Sequence, residues 1–340
     1  MSYPIISNFY KMSVNMYSNF ERLILLVMRK IYFKANGLSP VTQVFENYVT
    51  KRDGEANEFI YELIRSNKPL MVSKFGTIEL NALVSHQLQH KKNYNLSDKL
   101  LFIKGKIPNL WWPIKLDALC NNAGFFPNDN EKLSEFYKIN LDAIKNIDVL
   151  GSYIEKENFF SDFYSKNIVR VNLDGYYAPF LYDKPWTAAL KGKKVLVIHP
   201  FDAEIKSQYR KKELLWEDKE VLPDFDLITY KPVVSMLGQQ TEYLSWMEAL
   251  DKMQSDIRTI EFDIALIGCG AYGMPLAAFI KGMGKQAIHL AGWTQILFGI
   301  KGKRWDDLPY ISKYYNDAWV RPQQQSKIKG FDSIEKGCYW

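Results

Sequence analysis

Cysteine is scarce: 340 residues contain only Cys120, Cys269 and Cys338, and none of them stands in a CxxC pair. That spacing supports neither a disulfide framework nor a zinc ribbon, and suits free thiols in a reducing compartment such as the cytoplasm. Long apolar runs are missing too. The longest in residues 8–34, Leu23 to Met28, has six residues, against roughly 20 for a helix that crosses a bilayer. With no small-residue cleavage site beyond it, the segment does not read as a secretory signal. Neither GxxxxGK[ST] nor GxSxG occurs, which sets aside phosphate-loop enzymes and nucleophile-elbow hydrolases. Excess charge is also small, 44 Lys and Arg against 38 Asp and Glu. Basic runs stop at triplets such as Arg210-Lys211-Lys212, a poor basis for binding nucleic acid.

Aromatic rings, by contrast, are plentiful: 21 Tyr, 20 Phe and 9 Trp. Rings in this number suit sugar stacking, a membrane interface or a ring-rich core. Apolar residues at 47% and charged residues at 24% are ordinary for a globular chain, long enough for one large domain or two modest ones.

Residues 8–34 read as a helix with a wide apolar face and a basic remainder. Lys11, Arg22, Arg29, Lys30 and Lys34 against Glu21 place +4 in the first 40 residues. Such a helix either packs on the domain or lies on an anionic membrane surface. Beyond it strands and helices alternate. Glu55 to Ser66 reads as a helix and Leu70 to Val72 as a strand, and Thr77 caps a helix reaching about His90. From Lys91 to Pro127 the pattern weakens into irregular, ring-rich loops. Glu131 to Lys145 and Thr241 to Ser255 are helices, and Asp202 caps another. Strands are expected at 148–153, 168–173, 193–198 and 227–230. This alternation indicates a parallel α/β sheet, whose ligands bind beyond the carboxyl ends of the strands.

The most organised stretch is Phe262 to Gly292, which reads as a strand (Asp263 to Ile267), a glycine turn, a helix with Pro275 in its first turn, and a second strand (Gln286 to Leu290). Gly282 and Gly284 suit the end of that helix. Gly268-x-Gly270-x-x-Gly273 matches the spacing of a dinucleotide turn, which needs an acidic residue about 20 positions on to hold a ribose. His289 stands there, and no carboxylate follows until Asp306. The turn, comprising Gly268, Gly270, Ala271, Tyr272 and Gly273, is thus open to NAD, to another nucleotide or phosphate, or to tight packing without a ligand.

Lys74, Gly76, Thr77 and Glu79 put a cation and a carboxylate around a glycine turn at the end of another strand, and His199 marks the exit of a third. His86 and His90 have metal-ligand spacing on a helix, but no Glu follows His86 and no third ligand is apparent, so they read as a solvated face. Asp224-Phe225-Asp226 imitates the DxD of sugar-nucleotide enzymes, yet it precedes its strand and reads as a loop and cap.

The segment Ser73 to Leu80 resembles the RFGDGEF-type motif of GT-D glycosyltransferases, and the resemblance extends to the His199 strand and the glycine-rich unit before His289, roughly residues 60 to 300. It implies a Rossmann-like α/β domain at 61–300, with a mostly parallel sheet and helices on both faces. An N-terminal helical extension (1–60), able to touch a membrane through residues 8–34, precedes it, and an aromatic and basic tail (301–340) packs on it. The implied activity is transfer of a sugar from a nucleoside diphosphate donor to a glycan or lipid-linked acceptor in bacterial surface-polysaccharide synthesis, at the inner face of the membrane. Lys74 falls where the family commonly has Arg, Thr77 where it has the Asp of Asp-x-Glu, and Glu79 on its Glu. The resemblance makes Glu79 the catalytic group. Lys74, Gly76, Thr77, His199, Gly268, Gly270, Ala271, Tyr272, Gly273 and His289 become donor-binding candidates. Mn2+ or Mg2+ would be the cofactor, although with Thr77 in place of Asp, Glu79 alone is a weak anchor for a divalent cation. The competing readings are an NAD(P)-dependent oxidoreductase and a nucleotide-sugar binding subunit without turnover.

Overall fold

Short apolar runs such as Ile264–Ile267 and Val149–Gly151 are buried at every position, the mark of strands covered on both faces. In the computed structural model, which describes residues 4–38, 44–323, 330, 332 and 337–340, these runs form one sheet. Its strands are β1 (Leu70–Lys74), β2 (Val149–Gly151), β3 (Val169–Val171), β4 (Lys194–Ile198), β5 (Asp226–Tyr230), β6 (Ile264–Ile267) and β7 (Gln286–His289). Their order is β3-β2-β1-β7-β6-β4-β5, and all neighbours are parallel. The architecture is α/β and compatible with a Rossmann-like fold.

The chain divides into two compact units, residues 1–43 with 83–114, and residues 44–82 with 115–340. The first holds α1 (Pro4–Ala35), and the second holds α2 (Asp53–Arg65). The division falls within α3 (Thr77–Gln89). In the smaller unit α4 (Leu96–Ile103) packs on α1. Arg29 of α1 donates to the Ile107 carbonyl at 3.3 Å and lies 4.7 Å above the Phe102 ring. Where the sequence suggests only loops between 91 and 127, there are two helices, α4 and α5 (Asp117–Ala123). The first is set by a capping box in which Asn95 and Asp98 satisfy each other's backbone N–H, a device that starts a helix without a long periodic pattern.

The larger unit continues with α6 (Asn130–Ile144), α7 (Leu173–Tyr177), α8 (Asp202–Tyr209), α9 (Trp246–Arg258), α10 (Gly273–Gly282) and α11 (Trp293–Leu297). Side chains alternate across a sheet, and the two sets go to different partners. Leu70, Val72, Val195, Val197, Ile264 and Leu266 join a core with Ile60 of α2, Ile205 of α8 and Trp305. Their neighbours Met71, Leu196, Ala265 and Ala287 are equally buried, on the side where α10 crosses β1, β6 and β7 and meets α6 and α9. Several helix starts differ from the sequence reading by a few residues. Thr77 is the first residue of α3 and its hydroxyl faces Tyr153, 3.4 Å away, instead of capping the helix. Asp202 is likewise inside α8, with Phe201 at the cap position.

The chain leaves β4 toward β5 and β6 toward β7, in opposite directions along the sheet. In open α/β sheets the gap that this reversal leaves at the carboxyl ends is where ligands settle. Leu266→Ala, at the fully buried centre of β6, should cost about 2–5 kcal/mol of stability in urea unfolding. Leu244→Ala, at 86% exposure, should change it by no more than about 0.5 kcal/mol; equal losses would contradict this core.

Candidate functional site

The loops that leave β1, β4, β6 and β7 surround a cavity of about 300 Å³, within the larger unit and at the carboxyl ends of the strands. They come together because glycine removes the side chains that would keep them apart. A Cβ on Gly268 would stand 2.4 Å from the Ala291 carbonyl oxygen and 2.7 Å from His199 Cδ2. The loops after β4, β6 and β7 therefore touch at that one residue. Gly270, at φ +58°, turns the chain toward Ala123, whose carbonyl oxygen would be 2.8 Å from an added Cβ. Across the cavity, Gly76 lets the Glu79 carboxylate fold back onto the turn; a Cβ there would meet Glu79 Oε2 at 1.9 Å.

Of the residues that the sequence singles out, Lys74, Gly76, Thr77, Glu79, His199, Gly268, Gly270 and His289 line the cavity. The remainder of the glycine turn does not. Ala271 and Tyr272 are buried, the Tyr272 ring stacking 5.0 Å from Trp246 at 7°. Gly273 lies against the His289 ring, with Nε2 2.1 Å from where its Cβ would be. Of the expected donor-binding residues, Ala271, Tyr272 and Gly273 thus lie outside the cavity lining and shape the turn from beneath. The Asp224-Phe225-Asp226 segment leads into β5 at its amino end, and Asp224 pairs with Lys212.

Charge in the cavity is unbalanced. Among the described residues, Lys74, Lys231 and Arg304 line it with Glu79 as the single carboxylate side chain. Burial opposes the Lys74 charge, but Tyr153, Tyr177 and Glu79 together outweigh it and hold the ammonium above its ordinary range, while Arg304 pushes the other way. Tyr153 is fixed by donating to the Phe75 carbonyl at 2.9 Å. Thr77, Ile78 and Glu79 also place the first turn of α3 on the wall, and such a terminus favours anions.

The two histidines contribute no charge. Phe201 N–H donates to His199 Nδ1 at 3.0 Å, so the neutral ring keeps its proton on Nε2 and presents a donor. His289 Nδ1 lies 3.1 Å from the buried Ser73 hydroxyl, and Tyr176 donates to the His289 carbonyl. The exit of β7 is held in an unusual shape just beyond, where Ala291 has φ +52°, a conformation that costs a non-glycine residue energy and recurs at ligand sites.

The wall residues Lys231 and Tyr339 are not marked in the sequence, and Arg304 and Trp340 stand out there only as part of the aromatic and basic tail. All four reach the cavity, from loops and from the tail. The tail is held there by main-chain bonds: Arg304 N–H donates to the Cys338 carbonyl and Lys303 N–H to that of Trp340. Gln295 Nε2 adds a bond to the Tyr339 carbonyl at 3.2 Å. Among the described residues no three His, Cys, Asp or Glu side chains gather as metal ligands. His86 and His90 pair with each other, through His90 Nδ1 and the His86 carbonyl at 2.8 Å.

Burial pushes His199 down to about 3, and burial together with Lys74 does the same to His289. An unfolded imidazole titrates near 6.5, so between these values the unfolded chain binds more protons than the folded one. The stabilisation is complete above about pH 6.5 and is lost as the pH falls toward about 3. A ring-proton NMR titration should find two of the four histidines unchanged between about pH 5 and 8; movement of all four would contradict this geometry. Comparison of the chain with family models, with curated proteins and with solved structures found no match.

Proposed function

We propose that this protein is a glycosyltransferase of the GT-D type, drawing on a nucleoside diphosphate sugar and delivering the sugar to a hydroxyl of a glycan or lipid-linked glycan. The observation that carries the reading is the meeting of Lys74, Lys231, Arg304 and Glu79 around one glycine-walled cavity. Three cations against one carboxylate suit a dianionic or more highly charged ligand, and a diphosphate has that charge. A volume of about 300 Å³ is at the small end of ligand pockets. Phe201, Tyr339 and Trp340 supply aromatic faces in the same wall, suited to a sugar or a base.

In this reading Glu79 takes the proton of the acceptor hydroxyl as its oxygen bonds to the anomeric carbon. The bond from that carbon to the diphosphate oxygen breaks, and its electron pair leaves with the diphosphate. The growing negative charge falls on Lys74, Arg304 and Lys231, on the amides of the Gly268 to Gly270 turn, and on the start of α3. His199 Nε2–H is a further neutral donor. With Glu79 as base and no second carboxylate side chain among the described wall residues, a single displacement with inversion is favoured.

A divalent cation fits this donor set poorly. Among the described residues Glu79 is the single carboxylate side chain in the wall, Thr77 offers a hydroxyl already facing Tyr153, and Mg2+ or Mn2+ prefers several oxygen ligands. No step is therefore assigned to Mn2+ or Mg2+. The nicotinamide alternative finds less support, because the end of β7 presents buried His289 where a ribose-binding carboxylate would stand.

Release of nucleoside diphosphate from a panel of donor sugars tests the proposal. Glu79→Gln should lower kcat by about 10²- to 10⁴-fold while donor binding persists. Lys74→Ala should weaken donor binding by about 10- to 100-fold, and turnover should persist in EDTA. Full turnover in Glu79→Gln would remove Glu79 from the mechanism. Stabilisation by NAD(P)H in place of nucleoside diphosphates would favour the oxidoreductase, and donor binding without turnover on any acceptor the binding subunit.

A further inference from the structure

One side of α1 carries large apolar residues that no described residue of the smaller unit covers. Phe20, Leu23, Ile24, Val27, Met28 and Ile31 are between 42% and 62% exposed. They recur at the helical period and so form one stripe three turns long. Single exposed apolar residues are ordinary, but a continuous stripe is a surface. The opposite side of the helix is the one that packs: Leu25 is buried, Arg29 bonds the Ile107 carbonyl, and Phe33 lies against Gly105. From the same unit α4 adds exposed Leu96, Leu100 and Leu101.

Charge identifies what covers this surface. Residues 1–43 and 83–114 hold ten Lys and Arg against Glu21 and Asp98 alone, a net +8, while the whole chain has +6 and the rest of it sums to −2. Both acids are already paired, Glu21 with Lys99 at 2.5 Å and Asp98 with Lys91 at 2.7 Å. By helix geometry Lys30 and Lys34, both exposed, border the stripe along one edge. A second copy of the chain would set +8 against +8. A bilayer containing anionic lipid answers both features, taking the stripe among its acyl chains and the lysines at its phosphates.

We propose that this smaller unit is a docking module for anionic phospholipid surfaces, with α1 lying in the plane of the interface. No helix among the described residues is long and apolar enough to cross a membrane, so the attachment is to one leaflet. The inference is independent of the catalytic reading.

Cosedimentation of the full chain with vesicles tests it, using phosphatidylcholine alone and phosphatidylcholine mixed with phosphatidylglycerol. The protein should bind the mixed vesicles and lose binding in high salt. Lys30→Glu with Lys34→Glu should weaken binding by about tenfold or more. Leu23→Glu with Val27→Glu should abolish it without changing the thermal midpoint, since both side chains are exposed. Absence of binding to either vesicle would overturn the proposal, as would wild-type binding by the Leu23→Glu, Val27→Glu protein. A dimer in light scattering that this double variant dissociates, with no vesicle binding, would assign the stripe to self-association instead.

Discussion

The site depends on how closely three strand exits approach one another at Gly268. With the Ala291 carbonyl and the His199 ring both closer to this residue than any Cβ allows, the position admits only glycine unless the loops separate. Their separation would pull His199 away from the Gly270 turn and open the wall opposite Lys74. Gly76 acts in the same way at another edge of the cavity, giving room to Glu79, and Gly273 does so beneath the turn, giving room to His289. The sheet order sets where the cavity lies, and these close contacts set its shape.

Polarity is divided across that shape. The buried imidazoles stay neutral because their surroundings cannot solvate a second and third positive charge beside Lys74. They act as fixed dipoles, and the charged side chains among the described wall residues are Lys74, Lys231, Arg304 and Glu79. In the proposed reading an anion in the cavity meets ammonium and guanidinium groups, amides and a neutral ring N–H. Such preorganised donors stabilise charge that develops during a reaction more effectively than mobile ones.

Much of this was legible in the sequence where local chemistry punctuates the chain. Glycine and proline mark the turn and helix between β6 and β7, and the Lys74 to Glu79 turn stands out for its cation, glycine and carboxylate. Other parts could not be read. Lys231 and Tyr339 carry no local signal, and the aromatic and basic character of the tail marks Arg304 and Trp340 without saying that they return to the wall, which depends on sheet topology. Spacing puts Tyr272 in the glycine turn, but spacing does not say which way a ring points, and this one turns inward onto Trp246. The return of residues 83–114 to α1 was equally hidden, because α4 is short and started by a cap. The six-residue apolar run visible in α1 gave no hint that the apolar surface would remain exposed, since a packed helix has the same pattern.

The central claim is that Lys74 and the Gly270 turn grip the same diphosphate. A crystal structure with a nucleoside diphosphate bound tests it most directly. Phosphate oxygens should lie within about 3 Å of Lys74 Nζ and of a main-chain N–H in the Gly268 to Gly270 turn. Phosphate density outside the cavity, or a ligand that touches only one of these two groups, would contradict it.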